Sequence, residues 1–191
     1  MSQELEFEAR IMLRKEEYET LKEKYASFEE KLQTNYYFDT ENKELKNKNT
    51  ILRLRIVENT KNELTIKTKS VNFAKEINEK ISYLEVILLL EKAIIENQNV
   101  LNSISKKISN VNTLKLIGKL STKRIFVHCN EFDLFLDKNY YEGRVDYDLE
   151  IESDSKENAE KYLNMFIEKY HLKKGDKYIP KSGRLFKAIN Y

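Results

Sequence analysis

The chain has 191 residues, 35% of them charged, and its 34 Lys plus Arg nearly cancel its 32 Asp plus Glu to leave a formal net charge of +2. That balance excludes nucleic-acid binding through bulk positive charge, so any function of the charge must lie in its placement. With one proline and four glycines there is no flexible linker, and a single domain over residues 1–191 is expected. Cys129 is the only cysteine, which excludes an internal disulfide. Glu4, Glu6 and Glu8 stand where a signal peptide needs an apolar run, so a reduced, cytoplasmic location is expected. The most apolar run, 86–95, is broken by Glu91 and Lys92 and falls short of the roughly 20 residues of a membrane span.

In chain order, Glu4, Glu6, Glu8 and Arg10 alternate with Leu5, Phe7, Ala9 and Ile11, the pattern of a strand with one charged and one apolar face. Lys15 to Tyr25 places Tyr18, Leu21 and Tyr25 at helical spacing. Thr34 to Asp39 is aromatic and β-prone, with Tyr36 and Tyr37 read as packing residues, and Glu41 to Asn49 reads as a solvated loop. Ile51 to Ile56 alternates Arg53 and Arg55 with Leu52, Leu54 and Ile56. After a polar turn at 59–62, Leu64 to Lys69 continues the pattern with Lys67 and Lys69, a hairpin with four cations on one face. Like charges at that spacing oppose folding unless an anion lies among them.

Residues 72–108 read as one long or two shorter helices, from the recurrence of Ile77, Ile81, Leu84, Leu88 and Ile95. A loop around Gly118 is expected to lead into a strand beginning near Arg124. Residues 131–137, a turn over 138–143 and residues 146–152 form an acidic hairpin carrying Asp133, Asp137, Asp146, Asp148, Glu150 and Glu152. Asp154, with Glu157 three residues on, fits a helix cap, and Ala159, Tyr162, Leu163, Phe166, Ile167 and Tyr170 form the apolar stripe. The tail from Lys173 holds Lys174, Lys177, Lys181, Arg184 and Lys187 without a clear period.

Amphipathic helices need a sheet face to cover, so the expected fold is α+β: a closed or nearly closed eight-stranded antiparallel barrel, helices outside and charged faces inside. Acidic and basic strands neutralise one another across such an interior. Carboxylates are hard ligands for Mg2+ or Mn2+, and Arg and Lys suit phosphate oxygens, so a metal-bound polyphosphate is the species that needs both.

Glu6-Phe7-Glu8-Ala9-Arg10 resembles the N-terminal Glu-x-Glu-x-Lys signature of the CYTH superfamily, the triphosphate tunnel metalloenzymes. The likeness continues through Arg53-Leu54-Arg55, Leu64-Thr65-Ile66-Lys67 and Asp148-Leu149-Glu150-Ile151-Glu152, and is strongest to small Firmicute members described as adenylate cyclase-like or inorganic triphosphatases. It implies Glu6, Glu8, Asp137, Glu150 and Glu152 as holders of Mg2+ or Mn2+. It also implies Arg10, Arg53, Arg55, Lys67, Lys69, Arg124, Lys181, Arg184 and Lys187 as phosphate-binding cations, with Glu6, Glu8 and Arg10 in the catalytic signature. Arg10 departs from the signature lysine by a bulkier fork that keeps its proton.

The expected activity is metal-dependent hydrolysis of a triphosphate, inorganic triphosphate first, by in-line attack of water. Rival readings are an adenylate cyclase of the same family and a non-catalytic binder of polyphosphate or nucleotides. The expected partner is a small-molecule or nucleoside triphosphate, with neither nucleic acid nor membrane. His128, His171 and Cys129 read as structural or surface residues.

Overall fold

A computed structural model describes residues 7–69, 74–173 and 178–191. Among them are the strands β1 (Phe7–Leu13), β2 (Glu30–Thr40), β3 (Thr50–Val57), β4 (Lys61–Lys69), β5 (Ala74–Lys80), β6 (Leu114–His128), β7 (Asp133–Tyr141) and β8 (Arg144–Ser153). The helices are α1 (Lys15–Lys24), α2 (Glu44–Asn47), α3 (Tyr83–Lys92), α4 (Gln98–Ile104), α5 (Lys156–Tyr170) and α6 (Lys181–Ala188). The strands form one eight-stranded sheet in the order β1-β8-β7-β6-β2-β3-β4-β5, antiparallel as expected. No helix among the described residues is long and apolar enough to cross a membrane. The chain divides into two compact units, Met1–Leu32 with Ser121–Arg184 and Gln33–Leu120 with Leu185–Tyr191.

In the first unit the alternation of β1, β7 and β8 sorts side chains by face. Ala9, Ile11, Leu13, Leu134, Leu136, Tyr147, Leu149 and Ile151 are buried together with Tyr18 and Leu21 of α1 and Ala159, Tyr162 and Leu163 of α5. Each such aliphatic side chain contributes about 1.5–3 kcal/mol on burial, and a one-residue slip of β1 would put Arg10 in its place, so the register is strongly specified. Tyr18 rests on Tyr147 with ring centroids 4.7 Å apart.

Two local expectations are corrected here. The turn expected over 138–143 shrinks to Glu142 and Gly143, because pairing continues to Tyr141 opposite Arg144 and both turn residues take positive φ (46° and 68°), the geometry that matches strand twist in a two-residue hairpin. The cap of α5 is Ser155, whose hydroxyl accepts from the Asn158 backbone N–H; Asp154 instead accepts from the Asn158 side-chain amide at 2.7 Å.

In the second unit β3 and β4 form the expected hairpin. Leu52, Leu54, Leu64 and Ile66 are buried against Val86 and Leu89 of α3 and Val100 and Ile104 of α4, with Tyr36 partly buried at the edge. Tyr37 is buried on the opposite face, edge-on to Phe186 with centroids 5.5 Å apart. The helical reading of 72–108 fails at its start: 74–80 is strand β5, with Ile77 opposite Ile66 and Glu76 opposite Lys67, while Asn72 lies outside the described residues. Cross-strand pairing outweighs the helix propensity of Ala, Lys and Glu there. Helix begins at Tyr83 behind a Ser82–Glu85 capping box, and left-handed Ala93 (φ 53°) ends α3, leaving two short helices. Gly118 lies within the strand β6 rather than in a loop; its α-carbon faces Leu185 and Ile189, whose methyls would lie 3.4–3.5 Å from an added Cβ. One turn of helix, α2, replaces part of the loop expected at 41–49, held by the buried Asp39 carboxylate, which accepts from the N–H groups of Thr40, Leu45 and Lys46.

Candidate active site

The face of the first unit opposite α1 and α5 carries three cross-strand rows. Glu8 lies opposite Glu152, which lies opposite Asp133; Arg10 opposite Glu150, then Phe135; Met12 opposite Asp148, then Asp137, then Arg124. Asp137 and Asp148 are fully buried and Glu150 is 1% exposed. Buried carboxylates persist only when paired and hydrogen-bonded, and the chain supplies the cations. Arg124 grips Asp137 bidentately (Nε–Oδ1 and Nη2–Oδ2, both 2.7 Å) and reaches Glu150 at 2.9 Å. Lys181 Nζ bridges Asp137 (2.6 Å) and Asp148 (2.8 Å), and Arg184 bridges Asp146 (2.9 Å) and Asp148 (2.8 Å). Arg10 Nη2 donates to both Glu8 and Glu150.

Burial alone would push the Glu150 carboxyl up, but Arg124 and Arg10 outweigh it and hold it down at about 2. Asp137 is held low in the same way, against its own burial, by Arg124 and Lys181. Lys181 is correspondingly raised: its burial disfavours the ammonium, and Asp137 and Asp148 more than compensate. Burial, followed by Asp148, pushes the Tyr178 hydroxyl up to about 12.

Two carboxylate groups have oxygens within 4.8 Å of one another, Glu8–Glu150–Glu152 and Asp137–Asp148–Glu150. Such all-oxygen donor sets fit hard cations such as Mg2+ and Mn2+.

The second unit carries the basic residues of β3 and β4. Arg53 donates to Thr65 (3.0 Å) and lies 3.7 Å from Glu76, and Lys67 pairs with Glu76 at 2.9 Å. Arg55 Nε donates to Asn35 at 3.0 Å. The anion that this cationic hairpin requires is therefore supplied in part by Glu76 of β5. Burial opposes its ionisation, but Lys67 and Arg53 hold its carboxyl low. The Nε of Arg53 is buried without a hydrogen-bond partner among the described residues, an available donor.

Of the residues marked in the sequence, Glu8, Arg10, Arg124, Asp137, Glu150, Lys181 and Arg184 come together in the first unit, with Glu152 beside Glu8 on the same face. Arg53, Arg55 and Lys67 share a face in the second. Glu6, Lys174, Lys177 and the side chain of Lys69 lie outside the described residues. Lys187 is exposed, three residues past Arg184 on α6. His128 is exposed and pairs with Asp133 at 2.6 Å, and Cys129 is partly buried. The sequence reading did not single out Asp146, Asp148 and Tyr178, which lie among the charges of the first unit, or Glu76, which pairs with Lys67 in the second. The first two stand in the same alternation as Glu150 and Glu152, whereas nothing periodic marks Tyr178, whose hydroxyl lies 3.5 Å from Asp148.

A family model described as the CYTH domain matches residues 4–179. The chain is 30% identical over 172 residues to the Bacillus subtilis protein named "Putative triphosphatase YjbK", covering 87% of this chain and 88% of that protein. A Bacillus halodurans crystal structure described as a putative adenylate cyclase superposes with a TM-score of 0.85 at 29% identity, covering 97% of this chain and all of that one. HpAC1 from Hippeastrum, whose structure is described as revealing a dominant triphosphatase activity, shares the fold with a TM-score of 0.78 at 18% identity, over 91% of this chain and 92% of its own. With its acidic and basic strands in the order that the N-terminal signature led one to expect, the chain belongs to the CYTH family.

Proposed function

We propose that the protein is a metal-dependent triphosphatase whose first substrate is inorganic triphosphate. The observation that carries this reading is the Glu8–Glu150–Glu152 carboxylate set, whose oxygens lie within 4.8 Å of one another beside Arg10. The name of the B. subtilis relative supports the same reaction class. Glu8, Glu150 and Glu152 would hold Mg2+ or Mn2+, and when bound, the ion supplies charge neutralisation and a more acidic water.

The chain's own residues do the rest. Arg124 and Lys181 keep Asp137 and Glu150 ionised near neutrality, so that the face stays ready for a cation. Arg10 would donate to phosphate oxygens, and in the second unit Arg53 and Lys67 would exchange Glu76 for an anion's charge. Tyr178 stays protonated and serves as a donor. No histidine is among these groups, so proton removal from the attacking water is not assigned to one.

The test is phosphate release from inorganic triphosphate, with ATP as comparator and cyclic AMP measured alongside. Phosphate as the product supports the proposal; cyclic AMP with pyrophosphate would replace it with the cyclase reading. Tight triphosphate binding without turnover would replace it with the binding reading, which the engagement of Arg10 by Glu8 and Glu150 favours.

A further inference from the structure

We propose that Arg10 is a built-in counter-cation for the Glu8–Glu150–Glu152 carboxylates, and that a divalent ion binds there by displacing it. This rests on the reading of that triad as the metal site.

The two carboxylate groups of the first unit share Glu150 but differ in how firmly their cations are fixed. Asp137 and Asp148 are held by Arg124 from β6 and by Lys181 and Arg184 from α6, through several hydrogen bonds each. Removing those cations would leave two fully buried charges uncompensated. The Glu8 side is different. There Arg10 reaches Glu8 and Glu150 through one nitrogen, Nη2, while Arg124 also holds Glu150 at 2.9 Å, and Arg10 Nε is buried without a hydrogen-bond partner among the described residues. Arg10 therefore engages its carboxylates through one atom of a fork built for two. Its guanidinium carbon also lies 5.8 Å from the centre of the Tyr178 ring, a second seat for the same charge. A divalent ion and a guanidinium on the same two carboxylates repel each other, so one must yield, and Arg10 is the less anchored.

Displacement frees a cation whose Nε lacks a partner among the described residues and which can then donate to an anion. Metal binding and presentation of Arg10 to the substrate are then one event.

The experiment measures Mn2+ binding to the substrate-free full chain by electron paramagnetic resonance, for the wild type, Arg10→Met and Arg10→Lys. Arg10→Met is expected to tighten Mn2+ about tenfold at low salt. In the wild type, saturating Mg2+ should shift the Arg10 Nε–Hε NMR resonance, identified by its loss in Arg10→Lys. Equal Mn2+ affinity in all three proteins, or an Arg10 resonance indifferent to Mg2+, overturns the inference. If Arg10→Met fails to fold, the wild-type resonance and Arg10→Lys decide. Failure of all three to bind Mn2+ overturns both the metal site and the inference, whereas tightened binding without phosphate release overturns only the triphosphatase reading.

Discussion

Glu150 occupies the junction of the acidic face, since it belongs to both carboxylate groups and receives both Arg10 and Arg124. Lowering its carboxyl from 4.5 to about 2 corresponds to roughly 3 kcal/mol of differential stabilisation of the ionised form. Glu150→Gln is therefore expected to destabilise the fold by up to that amount and to reduce metal-dependent phosphate release about 100-fold. Thermal unfolding beside steady-state kinetics checks both, and an unaltered rate would remove Glu150 from the site. Arg53→Ala removes a donor with a spare Nε and should raise KM for triphosphate about tenfold with a smaller effect on kcat. A change confined to kcat would contradict ground-state phosphate binding. Residues of this kind were legible because they alternate. Glu8, Arg10, Arg53, Glu150 and Glu152 could be placed on faces from spacing alone, whereas Tyr178 and Glu76 enter through partners far away in sequence, which no local pattern encodes.

At the level of elements, the strongly alternating strands and the amphipathic α1 and α5 were readable because one period dominated each window. Strand β5 was not: its single inward isoleucine fits a helical or an extended spacing equally, and pairing with β4 decides between them. Nor was α6, where Lys181 and Arg184 lie one turn apart because their charges answer Asp137, Asp146 and Asp148 rather than an apolar stripe. Turn geometry yields a clean prediction. Gly143 takes φ 68° with nothing within 4 Å of where a Cβ would stand, so Gly143→Ala carries backbone strain without a clash. It is expected to cost about 1 kcal/mol and lower Tm by a few degrees without changing kcat/KM, as calorimetry and kinetics together will show. A neutral effect on Tm would mean that the β7–β8 turn is not the two-residue hairpin described.

For the whole molecule, charge at near-zero net balance has become an ordered pairing of buried carboxylates with chain cations. Glu150 and Asp137 are both held below their unfolded values, so their contribution to stability is complete above the unfolded carboxylate range and is lost as pH falls through the folded values. Tm is expected to be level from pH 7 down to about 5 and to fall steeply below about 4.5, toward pH 2, with a shallower acid slope in Glu150→Gln. A slope in the variant equal to that of the wild type would locate the acid sensitivity elsewhere. Family membership was readable from the signature and its later blocks, because these span both units of the chain. The proposed chemistry depends on the carboxylates of the first unit accepting a divalent ion, and the most direct measurement is phosphate release from inorganic triphosphate as Mg2+ or Mn2+ is titrated from zero. The account predicts release that is absent in chelator and rises saturably with metal; no release with either ion across neutral to alkaline pH, or release indifferent to metal, would contradict it.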